Sequence, residues 1–193
     1  MRLKLSLLTL TLIFVGAISA QDTSQFLNKC TISSGWGYAN GAGSSKSGFT
    51  FFVQMDYRFS AKFSLATEFE HLNFDLPGYY QDSVIGPNDQ QLFDNYFSVL
   101  IKYHLPFNSR FRVSLGSGWT YYIRQTGYFD VYTDAYSQVI TYRLSSFSGY
   151  GIPFLFETYY PLWRNLSVGL RAKYNLNEYA NSYSAAIGAS LKL

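Results

Sequence analysis

The residues able to do chemistry are few. His71 reads Glu70-His71-Leu72-Asn73, and His104 reads Tyr103-His104-Leu105-Pro106. A histidine acting as base on a serine needs that serine within reach and an acid to orient its ring. Neither histidine has a serine two residues on. His71 lies on the outer face near a loop and is the better placed of the two. Two isolated histidines suggest no metal site, Cys30 is more readily a strand residue than a reactive thiol, and no cofactor is expected. Gly41-Ala42-Gly43-Ser44-Ser45-Lys46-Ser47 has the composition of a phosphate loop. No Gly precedes the Lys and no helix follows, so it reads as a flexible loop. No catalytic or metal-binding residue is assigned.

What remains is charge. Asp56, Arg58, Glu68, Glu70, Lys102, Arg112, Arg124, Glu157, Arg171, Lys173 and Lys192 all fall on one side of segments that alternate with period two. Eight such segments follow residue 30. They cover about 30–39, 49–59, 63–70, 93–105, 111–124, 150–160, 166–175 and 183–193. The second is the clearest: Phe49, Phe51, Val53, Met55, Tyr57 and Phe59 alternate with Thr50, Gln54, Asp56 and Arg58, with Phe52 as the exception. One face is apolar and free of Asp, Glu, Lys and Arg. The other carries the charges among Gly, Ser and Thr.

Alternation alone does not say which face points in. The apolar band is broad and rich in large Phe and Leu. A small eight-stranded barrel has an interior just wide enough for side chains, and inward Phe from every strand would overfill it. Gly116, Gly118, Gly151, Gly169 and Gly188 on the opposite face suit a tight lumen. The apolar face is therefore expected outside, toward lipid. The charges then line a narrow interior, where they must pair or carry a heavy desolvation penalty. The expectation is a salt-bridge network that plugs the barrel, with Arg112, Arg171 and Lys173 neutralising Glu68 and Glu70.

Connections alternate short and long. The short ones are 60–62, 106–110 and 161–165. The longer ones run near 40–48, 75–92 and 125–142, with a brief one at 177–182. That asymmetry puts the short turns in the periplasm and the longer loops outside the cell. Strand-like runs at 128–132 and 137–142 predict a hairpin that carries strands five and six past the membrane. Aromatics gather at two depths, as membrane-interface girdles do. Tyr57, Phe59, Tyr103, Tyr160 and Trp163 lie by the short turns. Trp119, Tyr121 and Tyr174 lie toward the long loops.

With these strands placed, the chain resembles the small outer-membrane barrels, the OmpA-, OmpX- and OmpW-like group, over residues 30–193. The resemblance rests on the units Tyr57-Arg58-Phe59-Ser60-Ala61-Lys62-Phe63-Ser64-Leu65 and Tyr159-Tyr160-Pro161-Leu162-Trp163-Arg164-Asn165-Leu166-Ser167-Val168-Gly169. The closing strand, Tyr183 to Leu193, is similar to the C-terminal signal read by the barrel assembly machinery, with Leu193 in place of the usual Phe. The resemblance implies an all-β fold: a transmembrane, antiparallel, up-and-down barrel of eight strands. It implies partnership with outer-membrane lipid and with the assembly machinery. It also raises the lipid A deacylases and palmitoyl transferases of the same barrel size, whose deacylase serine pattern neither histidine here matches.

The N-terminus agrees. Arg2 and Lys4 precede an apolar run at 5–15 and small residues at 16–20, the order of a secretory signal peptide. Residues 1–20 are assigned to that leader, with cleavage after Ala20 or Ser19. Residues 21–29 form a short periplasmic segment, and 30–193 the barrel. Cys30 lies too far downstream to be a lipoprotein cysteine and has no partner for a disulfide. The chain has fifteen Lys+Arg and twelve Asp+Glu; without Arg2 and Lys4 the net charge falls to +1, which does not suggest a nucleic-acid binder. The aromatic share of 20% fits a membrane wall better than a soluble core. The leading expectation is a structural or surface-interaction protein, monomeric, presenting loops 75–92 and 125–142 to an extracellular ligand or host surface. The alternative is a narrow channel for small apolar solutes, and a third class is a lipid-modifying enzyme.

Overall fold

Strands whose side chains alternate in kind cannot bury one face without a partner, and closing the sheet on itself gives all of them one. The computed structural model describes residues 26–41, 47–75, 91–106, 110–134, 137–178 and 181–193, with side chains described except at 75, 91 and 127–143. The leader assigned to 1–20, residues 21–25 and the loop residues 42–46 and 76–90 lie outside these.

Eight strands follow in order: β1 (Cys30–Gly41), β2 (Ser47–Arg58), β3 (Phe63–Asp75), β4 (Gln91–His104), β5 (Arg112–Asp134), β6 (Ser137–Pro161), β7 (Leu166–Asn177) and β8 (Ser182–Lys192). Each pairs antiparallel with the next, and β8 pairs with β1 to close the barrel. No edge remains where backbone groups would face hydrocarbon. The barrel is sheared. Partners traced from Ser64 through Lys102, Gly116, Leu155, Lys173, Ser184, Ala39 and Gly48 return to β3 at Phe74, well above the start. Shear of this kind fixes which inward side chains meet across the lumen.

The short turns are built locally. Ser60 Oγ accepts from the N–H of Phe63 at 2.9 Å, and the Ser60 N–H donates to the Phe63 carbonyl. Such a hydroxyl-capped turn needs no special backbone angle. After Pro161, which ends β6, the N–H groups of Leu162 and Trp163 both donate to the Leu166 carbonyl. The β5–β6 ladder skips from Ser117–Phe154 to Thr120–Gly151, because Pro153 has no N–H to give. At the other end β5 and β6 pair on to Asp134–Ser137, so the run at 125–142 is a strand hairpin rather than an open loop.

The apolar face points out: Trp36 is 74% exposed and Ile187 64%, whereas Lys173 is 2% exposed. The inside differs from expectation in one respect. Besides charges and small residues it holds Phe52, Leu72, Phe74, Tyr96, Leu100, Tyr122, Leu155 and Tyr159, all buried. Glycines make the room. A Cβ at Gly188 would stand 2.9 Å from Phe52 Cζ, and one at Gly149 2.9 Å from the Tyr122 hydroxyl.

Candidate functional site

The lumen carries three charged centres stacked along its axis. At the short-turn end Lys102 Nζ lies 2.8 Å from Asp56 Oδ1 and 2.5 Å from Glu157 Oε2. Gln54 donates to Asp56, and Ser114 to Glu157. In the middle, Arg171 Nη2 meets Glu68 Oε2 at 2.6 Å, and Lys173 Nζ bridges Glu68 Oε1 and Glu70 Oε2 at 2.5 and 2.9 Å. Ser184 and Thr50 donate to the other oxygen of Glu70, and Lys173 also donates to Ser98. The Arg171 guanidinium lies over the Phe52 ring, 4.0 Å from its centre, a cation–π contact inside the barrel.

Above this centre an apolar layer of Ala39, Leu72, Phe74, Tyr96 and Tyr122 fills the lumen. Tyr96 and Tyr122 stack with ring centres 5.7 Å apart. The third centre lies beside this layer, Asp94 being the cross-strand partner of Leu72: Arg124 grips Asp94 through Nε at 2.6 Å and Nη2 at 2.5 Å, a two-pronged pair. Tyr96 donates to Asp94 and accepts from Asn177 and Ser182. Asp94 shares the inward parity of its segment but is not among the charges named from sequence for the network. Its partner Arg124 is thirty residues away in the chain, and only the β4–β5 pairing sets them opposite.

Three of the charges named from sequence stand apart from these centres. Arg58 is exposed and donates to the carbonyls of Ser60 and Ala61, capping the turn below it. Arg112 donates to Ser167 Oγ at 2.8 Å and bridges neither Glu68 nor Glu70. Both sit at strand ends, where a long side chain reaches water and turn carbonyls instead of the interior. Lys192 is exposed for the same reason. A small cavity of about 50 Å³ opens among Arg58, Arg112, His104 and Glu157. The larger groove, about 720 Å³, lies on the outer wall between Leu115, Phe154, Phe156, Tyr174 and Tyr183, over Ala172 and Ala185.

The histidines take separate places. His71 points outward with Nδ1 2.8 Å from Asn95 Oδ1, and its ring stacks near Phe93. His104 Nε2 lies 3.0 Å from Ser64 Oγ inside the short-turn mouth. That serine comes from β3, not from the sequence neighbourhood of His104. No carboxylate hydrogen-bonds to either ring among the described residues. Burial and then the nearby cations Lys102, Arg58 and Arg112 disfavour an imidazolium at His104, with Glu157 opposing them.

The aromatics named for the membrane interface sit as follows. Tyr57 stacks on Phe26 at 4.9 Å, Tyr103 meets Phe63 at 5.3 Å, and Tyr160 meets Phe111 at 5.3 Å. Phe59 and Trp163 are exposed beside them, Trp163 in the β6–β7 turn. Toward the other end Trp119 and Tyr121 both pack on Tyr150, and Tyr174 pairs with Tyr183 across β7–β8.

The family described as the outer membrane protein beta-barrel domain matches residues 6–192. Among solved structures, Neisserial surface protein A is 16% identical with a TM-score of 0.55, covering 86% of this chain and 97% of that one. Ail, the attachment invasion locus protein of Yersinia pestis, is 14% identical with a TM-score of 0.53, over 84% and 96%. A major outer membrane protein of Thermus thermophilus is 13% identical with a TM-score of 0.53, over 83% and 98%. No curated protein sequence matches the chain.

Proposed function

This chain belongs to the outer-membrane β-barrel family and to the bacterial outer membrane, and from that premise we propose that it is a plugged barrel that works through its outer end. The observation that carries this reading is the middle charged centre. Arg171 and Lys173 from β7 reach Glu68 and Glu70 on β3, spanning the lumen, and the apolar layer of Leu72, Phe74, Tyr96 and Tyr122 closes it again above. In a low-dielectric interior such a cluster holds its geometry, because separating any member strands a buried charge. Transport of small apolar solutes would need a path past both layers.

In this reading the short turns face the periplasm, residues 1–20 are removed as a leader, and the aromatic pairs at the two ends sit at the membrane interfaces. Lipid and the assembly machinery, which would read β8, are its obligatory partners. The barrel anchors the β5–β6 hairpin outside the cell, where it meets an extracellular ligand or host surface. Attachment is the role named for the Yersinia barrel, and it needs no lumen. Acyl chemistry is disfavoured by the His104–Ser64 pair itself, which lacks an orienting acid and is ringed by cations.

Two measurements test the reading. The protein refolded in a planar bilayer should pass no steady ionic current. Cells of a heterologous Gram-negative host displaying it should attach to surfaces coated with extracellular-matrix protein, and lose that attachment when the hairpin is cut back. Steady conductance would move the function to transport.

A further inference from the structure

The cavity at the short-turn mouth holds polar groups that the lumen network does not use. Its volume of about 50 Å³ is several times the roughly 10–15 Å³ that one water needs. Arg58, Arg112 and Lys102 line it against Asp56 and Glu157, an excess of one positive charge. Lys102 is committed to both carboxylates, at 2.8 and 2.5 Å. The arginines are not. Among the described residues neither guanidinium has a carboxylate at ion-pair distance, and the two lie close enough to repel each other. Each carries five N–H donors. Arg58 gives two of them to the Ser60 and Ala61 carbonyls, and Arg112 gives one to Ser167.

Two buried residues lining the same cavity say what an anion there must offer. Glu157 is fully buried, and its Oε1 accepts no hydrogen bond, although Oε2 holds Lys102 and Ser114. Tyr159 is 6% exposed, and its hydroxyl has Ser33 near it but makes no hydrogen bond. An orphaned carboxylate oxygen beside surplus cations is a poor seat for a fully deprotonated anion, which brings only acceptors. It suits an oxyanion that keeps one proton. That O–H donates to Glu157 Oε1, and the other oxygens accept from Tyr159 and the two guanidiniums. Inorganic phosphate keeps a proton at neutral pH, whereas sulfate and phosphodiesters do not. We infer that the short-turn mouth binds inorganic phosphate in its protonated forms, with Glu157 selecting it over sulfate and Arg58, Arg112 and Tyr159 holding its other oxygens. This site lies at the opposite end from the hairpin, goes beyond the plugged-barrel reading and needs no path through the lumen.

The test uses the full mature chain in micelles of an uncharged, phosphate-free detergent, titrated calorimetrically at neutral pH with inorganic phosphate. Phosphate should bind, and sulfate and dimethyl phosphate should bind about tenfold more weakly or worse, because each leaves Glu157 Oε1 unpaired. Arg112→Gln and Tyr159→Phe should each weaken phosphate about tenfold. Arg164→Gln, which removes an exposed cation of the β6–β7 turn, should change nothing. Glu157→Gln should narrow the gap between phosphate and sulfate, since an amide can donate where the carboxylate only accepts. Compact migration on gels without heating shows which variants are folded, and the comparison of anions on the unaltered chain needs no variant. No phosphate binding, or sulfate bound as well as phosphate, overturns the inference. An equal loss in Arg164→Gln does so too, because it would show a general effect of surface charge. So does displacement of phosphate by phosphatidylglycerol added to the micelles, which would make the mouth a seat for a lipid phosphodiester.

Discussion

Lys173 Nζ lies 2.5 Å from Glu68 Oε1, joining β7 to β3 across a lumen that the sequence separates by more than a hundred residues. The same ammonium holds Glu70, so one cation serves two buried carboxylates. Removing it leaves both with less compensation than they need. Lys173→Met should cost about 3–5 kcal/mol, read as a lower urea midpoint for the vesicle-refolded protein. The triple variant Lys173→Met, Glu68→Gln, Glu70→Gln should recover most of the loss. An unchanged midpoint for the single variant would mean that the centre is solvated.

The glycines around Phe52 separate two kinds of close packing. A Cβ at Gly188 meets the Phe52 ring first, at 2.9 Å, a side chain that can be cut back. A Cβ at Gly35 meets the Ile187 carbonyl first, backbone that cannot move. Gly188→Ala should cost about 1–3 kcal/mol and be rescued in part by Phe52→Leu, because the Ser34 carbonyl stands 3.0 Å from the same Cβ. Gly35→Ala should not be rescued. Equal rescue in folding titrations would show that Phe52 does not set the fit.

The outer face gives a depth scale. Ile187 is 64% exposed midway along β8, whereas Phe111 lies at the short-turn end of β5. Ile187→Lys should cost about 2–4 kcal/mol in folding into bilayers, and Phe111→Lys about 0–1. The reverse order would place the membrane elsewhere on the barrel.

The hairpin should be separable from the barrel. Above Gly127–Leu144 its two strands pair with each other and with nothing else among the described residues. Replacing residues 129–142 by Asn-Gly should leave bilayer stability within about 0.5 kcal/mol and abolish attachment of displaying cells. A large loss of stability would tie the ribbon to the fold.

Much of this was legible in the sequence because a barrel strand shows its two faces as two chemistries. The strand count and the β5–β6 hairpin follow from period two, and the outward direction of the band from Phe49 to Phe59 follows from the bulk of its side chains against a narrow lumen. The inside was harder. Leu72, Phe74, Tyr96 and Tyr122 point inward, against the expectation of a lumen of glycine, serine and charge. The doubled Tyr121-Tyr122 and the run Leu72-Asn73-Phe74 carried that signal, since apolar residues of both parities cannot all face lipid. Which charges meet was legible only in part: Arg171 and Lys173, named as partners of Glu68 and Glu70, lie on them, whereas Arg112 does not. Glu68 finds Arg171 only because the shear lifts β7 to its level, and shear is a property of the closed sheet. Arg58 and Arg112 share the inward parity but sit at strand ends, where parity no longer decides.

The most direct test of the central claim is single-channel recording of the full mature protein in a planar bilayer. The charged centre of Glu68, Glu70, Arg171 and Lys173 and the aromatic layer above it predict a silent membrane at physiological salt. Steady, reproducible openings that change size in Glu68→Gln or Lys173→Met would show a path through that centre and contradict the plugged barrel.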